Sequence, residues 1–325
     1  MAPYTSHPVD SACAPAFFSL FPVISCEPDA LPTIQRALND TIYSCTTPGS
    51  KERRKALYRH TNPAGNLFSL AFALSETDRL RYVAQFIEFL CILDDSTENM
   101  PFEEACTAHS IIRQALTEKY VDENNGGKAV GMMKNFLNNL CEELSGLDDP
   151  STVTPLLLKT LDRSLRDRDS DDSEFVTLAE YIPYRRTNFD HDFVCQLLRW
   201  GMNVKPEVQE SPLLRTYELI NGAIVGLTND YFSWEMERQQ PTDRIRNAVP
   251  VLMTEHGISE LPAKAMLKEV IIEEERKAEA LKTRIMAELE GDEQVKRYLT
   301  GMDLFAAGYS FWCATCPRYH RPQKE

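Results

Sequence analysis

No apolar run in this sequence approaches the roughly 20 residues that crossing a bilayer as a helix requires, so a membrane span is not expected. Sustained alternation of apolar and polar residues between turn signals is also missing, which argues against a β-sheet protein. There is no internal repeat and no low-complexity linker, so the expectation is one domain over residues 1–325. Positive charge is scarce: 35 Lys and Arg against 49 Asp and Glu leave a formal charge of −14. Nucleic acid would be repelled, and any other anionic ligand would need metal ions or a few local arginines. Paired cysteine motifs are lacking as well. The nine cysteines are odd in number, and Cys313 and Cys316 form a C-x-x-C with no companion pair. That pattern favours reduced thiols in a cytoplasmic protein over zinc or disulfide chemistry. Pro3, Pro8 and Asp10 precede any apolar stretch, so no signal peptide is expected.

What is present reads as helix. Residues 1–30 carry several prolines and no period, an extended arm that Phe17 and Phe18 would hold to the body. Helical periods follow over 33–43, partly over 57–72 with a break near Pro63, and over 76–98, 103–120, 127–147 and 155–165. Further helices are expected over 178–202, 213–238, 242–256, 262–290 and 293–313. The run Arg166 to Glu174 reads as a solvated loop, so its Asp171-Asp172 pair is not taken as a metal site. A 325-residue all-α chain can surround a ligand cavity with inward-facing side chains.

Two stretches carry chemistry. Phe86 to Glu98 is an apolar helix ending in carboxylates, with Asp94 and Glu98 on one face and Asp95 about 100° round. Acids so close repel one another unless a cation intervenes, and hard oxygens suit Mg²⁺, which takes one or two carboxylates plus water and phosphate. An exposed acidic helix end is the plainer alternative. The second stretch, Asn229 to Glu237, puts Asn229, Ser233 and Glu237 at i, i+4 and i+8. Asn and Ser compete for backbone hydrogen bonds in a helix, so their place among Tyr231, Phe232 and Trp234 needs a reason. Convergence on a small hard cation supplies one.

Together, Asp94 to Glu98 (DDSTE) and Asn229 to Glu237 (NDYFSWEME) resemble the aspartate-rich and NSE motifs of class I terpene cyclases, above all the cyclase domain of fungal chimeric terpene synthases. The resemblance implies an all-α bundle around a central apolar cavity, and an isoprenyl diphosphate bound with three Mg²⁺. It implies that Asp94 ligates two ions and that Asn229, Ser233 and Glu237 hold the third. Asp95 and Glu98 are less secure as ligands and fit contacts with arginine or water better. It also gives Arg185 the part of diphosphate sensor by the Tyr184-Arg185 match, with Arg186 the fallback and Asn188 the linker at a local helix break. Arg318 and Tyr319 match a terminal pair that hydrogen-bonds the diphosphate. Met236 stands where many members carry a lysine, which removes one phosphate contact. Phe86, Phe89, Phe189, Phe311 and Trp312 are candidates for stabilising cations, and ordinary core packing accounts for each equally well.

Residues 320–325 suit the start of a linker to an absent C-terminal prenyltransferase domain, and a homo-oligomer is left open. Geranylgeranyl diphosphate (C20) is favoured over the C25 homologue. The rivals are a chain-elongating prenyltransferase, which would need a second DDxxD motif, and an inactive helical interaction protein.

Overall fold

The computed structural model describes residues 7–97, 100–117, 127–144, 157–162, 175–204, 211–239, 246–289 and 292–320. The fold is all-α. The helices in chain order are α1 (Leu31–Cys45), α2 (Lys51–Arg59), α3 (Leu67–Ala71), α4 (Thr77–Thr97), α5 (Phe102–Thr117) and α6 (Gly127–Leu144). The helical residues 157–162 are α7. Then come α8 (Leu178–Asn188), α9 (His191–Gly201), α10 (Pro212–Glu237), α11 (Ala248–His256), α12 (Glu260–Glu288) and α13 (Glu293–Thr315). No described helix is long and apolar enough to cross a membrane. The chain divides into two compact units, Met1–Leu31 with Thr61–Arg79 and Ser173–Glu325, and Pro32–His60 with Leu80–Asp172.

In the first unit α10 packs against α12, α13, α8 and α11, and α13 packs against α3. Among the described residues of the arm, His7–Pro8 (β1) pairs with Ile24–Ser25 (β2) in a short antiparallel ladder. The two phenylalanines do hold the arm down: Phe17 meets Phe311 edge-on at 5.8 Å, and Phe18 meets Tyr231 at 5.0 Å. Glu275 of α12 fastens the next turn, accepting from the Ser19 hydroxyl at 2.5 Å and the Leu20 N–H at 2.7 Å. A cavity of about 670 Å³ beside that latch is lined by Phe21, Glu275, Glu279, Lys282 and Asp303 among others, and by none of the candidate site residues.

In the second unit α5 packs on α6, and Phe89 of α4 stacks on Phe136 of α6 at 6.2 Å. The segment 166–174, with Asp171 and Asp172, lies outside the described residues.

The helical period expected over 178–202 is corrected to two helices, and the first ends at Asn188, where the resemblance implies a local helix break. The structure has two, separated by Phe189 and Asp190, and Asp190 is left-handed (φ 62°). No Gly or Pro marks the break; Asp is one of the few residues that tolerate this conformation. Upstream, Thr177 and Glu180 form a capping box that starts α8. Glu180 is thereby occupied at the helix start.

His191 opens α9 and is buried, close enough to Gly222 that a Cβ there would lie 2.7 Å from the imidazole. Burial pushes its pKa down to about 4; Asp192 opposes this, while Arg215 and Arg186 reinforce it. The unfolded chain binds a proton near pH 6.5 and the folded chain does not. Stability from this group is therefore complete above pH 6.5 and is lost as pH falls towards 4, by up to about 1.4 kcal/mol per pH unit. Buried Asp230, Glu275 and Asp303 have raised pKa values and act with the opposite sign. The His191 effect is thus isolated by comparing wild type with His191→Gln in urea unfolding. Between pH 7 and 4.5 the wild type's stability relative to the variant is expected to drop by about 2 kcal/mol. Parallel pH profiles would contradict it.

Candidate functional site

The oxygen stripe on α10 lies in the first unit, and each of its residues has partners from other elements. Arg185, buried on α8, donates from Nη1 to Asn188 Oδ1 and from Nη2 to Asn229 Oδ1, both at 2.6 Å. Its Nε lies 2.8 Å from Asp230 Oδ1. Burial works against the guanidinium's charge, but Asp230, Tyr181 and Glu237 outweigh it and push its pKa upward. Close approach of α8 to α10 depends on Gly226, where a Cβ would stand 3.0 Å from Arg185 Cγ. Arg186 turns elsewhere and donates to the Leu219 carbonyl at 3.3 Å. Of the two arginines, Arg185 is the one that meets the stripe.

The Asn229 amide nitrogen donates to the hydroxyls of Tyr309 at 2.7 Å and Tyr319 at 3.1 Å. Burial raises the pKa of both phenols, so they keep their protons. The Arg318 guanidinium lies 5.9 Å from the centre of the Tyr319 ring. Tyr319 also packs edge-on to Trp312, which stacks on Tyr309. Phe189 meets Tyr309 edge-on at 5.5 Å, so Phe189, Trp312 and the terminal Tyr319 form one aromatic group around the amide.

Asp230, beside Asn229 in sequence, is completely buried. Its carboxylate accepts from Tyr181 at 2.8 Å and from the Ala248 N–H at 3.1 Å, besides facing Arg185. Burial raises its pKa to about 6, against the pull of Arg185 and Tyr181. Ser233 and Glu237 are gathered at a single point: the Asn247 amide nitrogen lies 3.5 Å from Ser233 Oγ and 3.1 Å from Glu237 Oε2. Met236, just before Glu237, carries no charge. Arg238 ion-pairs with Glu235 at 2.8 Å and Glu260 at 3.6 Å. Asn229, Ser233 and Glu237 present only hard oxygens, and two of the three already converge, so the donor set fits a small divalent cation. Among the described residues no cluster of three or more His, Cys, Asp or Glu could hold a metal ion; a stripe of Asn, Ser and Glu is a different kind of set.

The aspartate-rich helix end lies in the second unit. Asp94 is exposed on the last turn of α4. Asp95 is engaged by Arg59 at 2.5 Å and Lys55 at 2.8 Å, both from α2. Arg59 also reaches Glu88 at 2.6 Å, and His60 meets the other Glu88 oxygen at 2.7 Å. Glu98 lies outside the described residues. Phe86 and Phe89 are fully buried in this unit, as Phe311 is in the first. Cys313 and Cys316 form no disulfide with each other, and burial raises the pKa of the Cys316 thiol to about 11 and pushes the Cys313 thiol up as well. Neither is a ready thiolate for zinc or redox chemistry.

Asp230, Tyr181, Asn247, Arg59 and Lys55 are partners that sequence reasoning missed. Only Asp230 had a signal, its place inside the second motif. The others approach from 10 to 49 residues away, and no local period announces them.

Residues 85–277 match the family described as terpene synthase family 2, C-terminal metal binding, over more than half of the chain. Among curated relatives, the sesterterpene synthase btcA of Colletotrichum orbiculare is 29 % identical over 272 residues, 80 % of this chain. The ophiobolin F synthase oblA of Aspergillus clavatus is 28 % identical over 253 residues, 76 % of this chain. This chain spans only 38 % and 34 % of the length of those two relatives. The crystal structure of aristolochene synthase from Penicillium roqueforti superposes with a TM-score of 0.73, covering 91 % of this chain and 98 % of that one at 17 % identity, a likeness of fold. A helical fold of this kind, an oxygen stripe tied to a buried arginine and a family match spanning both motifs agree: the chain belongs to terpene synthase family 2, of the C-terminal metal-binding type.

Proposed function

We propose that this chain is a Mg²⁺-dependent class I terpene cyclase that ionises a linear isoprenyl diphosphate and cyclises the resulting cation. The observation that carries this reading is the bond from the buried Arg185 guanidinium to Asn229 of the stripe, with Tyr319 on the same amide. A cation-binding residue and two phosphate-type donors share one hydrogen-bonded cluster, as an ion-assisted diphosphate site requires. In this reading Asp94 would hold two of three ions, and Asn229, Ser233 and Glu237 would hold the third. Bound Mg²⁺ supplies charge neutralisation as the diphosphate departs.

The chain's own residues do the rest. Arg185 and Arg318 offer planar donor forks to phosphate oxygens, and the Tyr319 phenol, protonated, donates from its O–H. These donors act where negative charge develops, in surroundings drier than water. The allylic cation left behind must be kept from water. Aromatic faces such as Phe86, Phe89, Phe189, Phe311 and Trp312 each stabilise a passing cation by about 0.5 to 2 kcal/mol where they reach it. Asp95, engaged by Arg59 and Lys55, acts as a positioning residue.

C20 diphosphate is the substrate the sequence favours; the name of the Colletotrichum orbiculare relative draws the reading towards C25. The short coverage of the relatives also fits a cyclase whose longer protein includes a prenyltransferase that makes the substrate.

The test is incubation of the purified chain with C15, C20 and C25 diphosphates, with and without Mg²⁺ and isopentenyl diphosphate. Cyclic hydrocarbon formed only with metal supports the cyclase, and the substrate consumed fastest fixes its length. Lengthened diphosphate would mark an elongase, and no turnover of any substrate would mark an interaction protein.

A further inference from the structure

Asn247 has no part in either motif, yet it is buried and reaches both Ser233 and Glu237 of the stripe. Its two ends do different things. The amide oxygen accepts from the Val249 N–H at 2.9 Å and caps α11. The amide nitrogen faces α10, 2.9 Å from the Asp230 carbonyl oxygen, 3.1 Å from Glu237 Oε2 and 3.5 Å from Ser233 Oγ. The neighbouring Ala248 N–H donates to the Asp230 carboxylate, so the start of α11 grips α10 at two adjacent points.

The geometry points to Asn247 as a positioning residue for the cation-binding stripe. It acts through Ser233 and Glu237 and so rests on the metal reading proposed above. A glutamate side chain with three rotatable bonds samples many rotamers, and fixing it costs entropy at the moment of binding. A donor held rigidly by its own cap bond turns one Glu237 oxygen back towards Ser233 before the ion arrives. Chemistry favours an amide in this place. Lysine or arginine could make the same contact, but its charge would compete with the incoming cation. Aspartate could cap α11 but would have no N–H to donate.

Two substitutions separate the roles. Asn247→Ser keeps a capping oxygen and loses the amide donor; Asn247→Ala loses both. Binding of Mn²⁺, followed by its electron paramagnetic resonance signal in the presence of inorganic pyrophosphate, reads the ion site without turnover. Both variants are expected to bind Mn²⁺ about 10-fold or more weakly than wild type. Only Asn247→Ala is expected to melt at lower temperature, by loss of the cap. Wild-type affinity in Asn247→Ser, with loss confined to Asn247→Ala, would reduce Asn247 to a helix cap and overturn the proposal. Absence of Mn²⁺ binding to wild type would instead overturn the metal reading, and the positioning role with it.

Discussion

Asn229→Ala and Asp94→Ala are each expected to lose at least about 10³-fold in turnover, roughly 4 kcal/mol of barrier, while keeping their helical content. For Asn229 the structure gives the reason in two parts. Its amide oxygen belongs to the first of the stripe's three residues, and its nitrogen ties Tyr309 and Tyr319 together. Alanine removes the oxygen and releases both phenols, while Arg185 keeps Asn188 and Asp230, so the fold around it stands. Asp94 is exposed on the last turn of α4, so its truncation opens no cavity in the core. Asn229→Asp keeps an oxygen facing Arg185 and is expected to recover part of the loss. Steady-state product formation, with circular dichroism for the fold, checks all three variants. Turnover within tenfold of wild type in either alanine variant would refute its assignment as a ligand.

Gly308→Ala is expected to be the most damaging single methyl group in the first unit. A Cβ there would lie 2.2 Å from the Leu70 carbonyl oxygen and 2.5 Å from its carbon. Those are backbone atoms of α3 and cannot swing aside, so α13 and α3 must separate. Alanine gains about 1 kcal/mol over glycine in helix propensity, but overpacking on this scale costs about 3 kcal/mol or more. The net effect is a loss, seen as a clear drop in melting temperature. Gly301 on the same helix is the control. A Cβ there meets only the Sδ and Cε of Met202, at 2.6 Å, and a thioether end can move. Gly301→Ala is therefore expected to be near neutral. Equal melting temperatures for the two variants would mean that the α3–α13 contact is looser than described.

The sequence made helices legible wherever an apolar stripe recurred, and it made the i, i+4, i+8 set of Asn229, Ser233 and Glu237 legible because their polarity conflicts with their neighbours. The arm was legible through Phe17 and Phe18, large rings in a segment with no period of its own. The helix break after Asn188 was legible only through the resemblance, which makes Asn188 a linker there; the left-handed backbone of Asp190 was not, because a lone Asp gives little warning. Asn247 was hidden for a related reason. The helix expected over 242–256 put Asn247 inside it, whereas Asn247 caps α11 ahead of Ala248, and nothing local says that its other end reaches α10. Arg59 ends a stretch rich in Lys and Arg, and folding buries it between Glu88 and Asp95, neither of which is near it in sequence.

The central claim is that Asp94 and the Asn229 stripe serve one diphosphate. A crystal structure of the chain with Mg²⁺ and inorganic pyrophosphate tests it most directly. The expected result is one pyrophosphate with metal ions ligated by Asp94 and by Asn229, Ser233 and Glu237, and with Arg185 on its oxygens. Pyrophosphate bound elsewhere, or ions held by one of the two patches alone, would contradict the account.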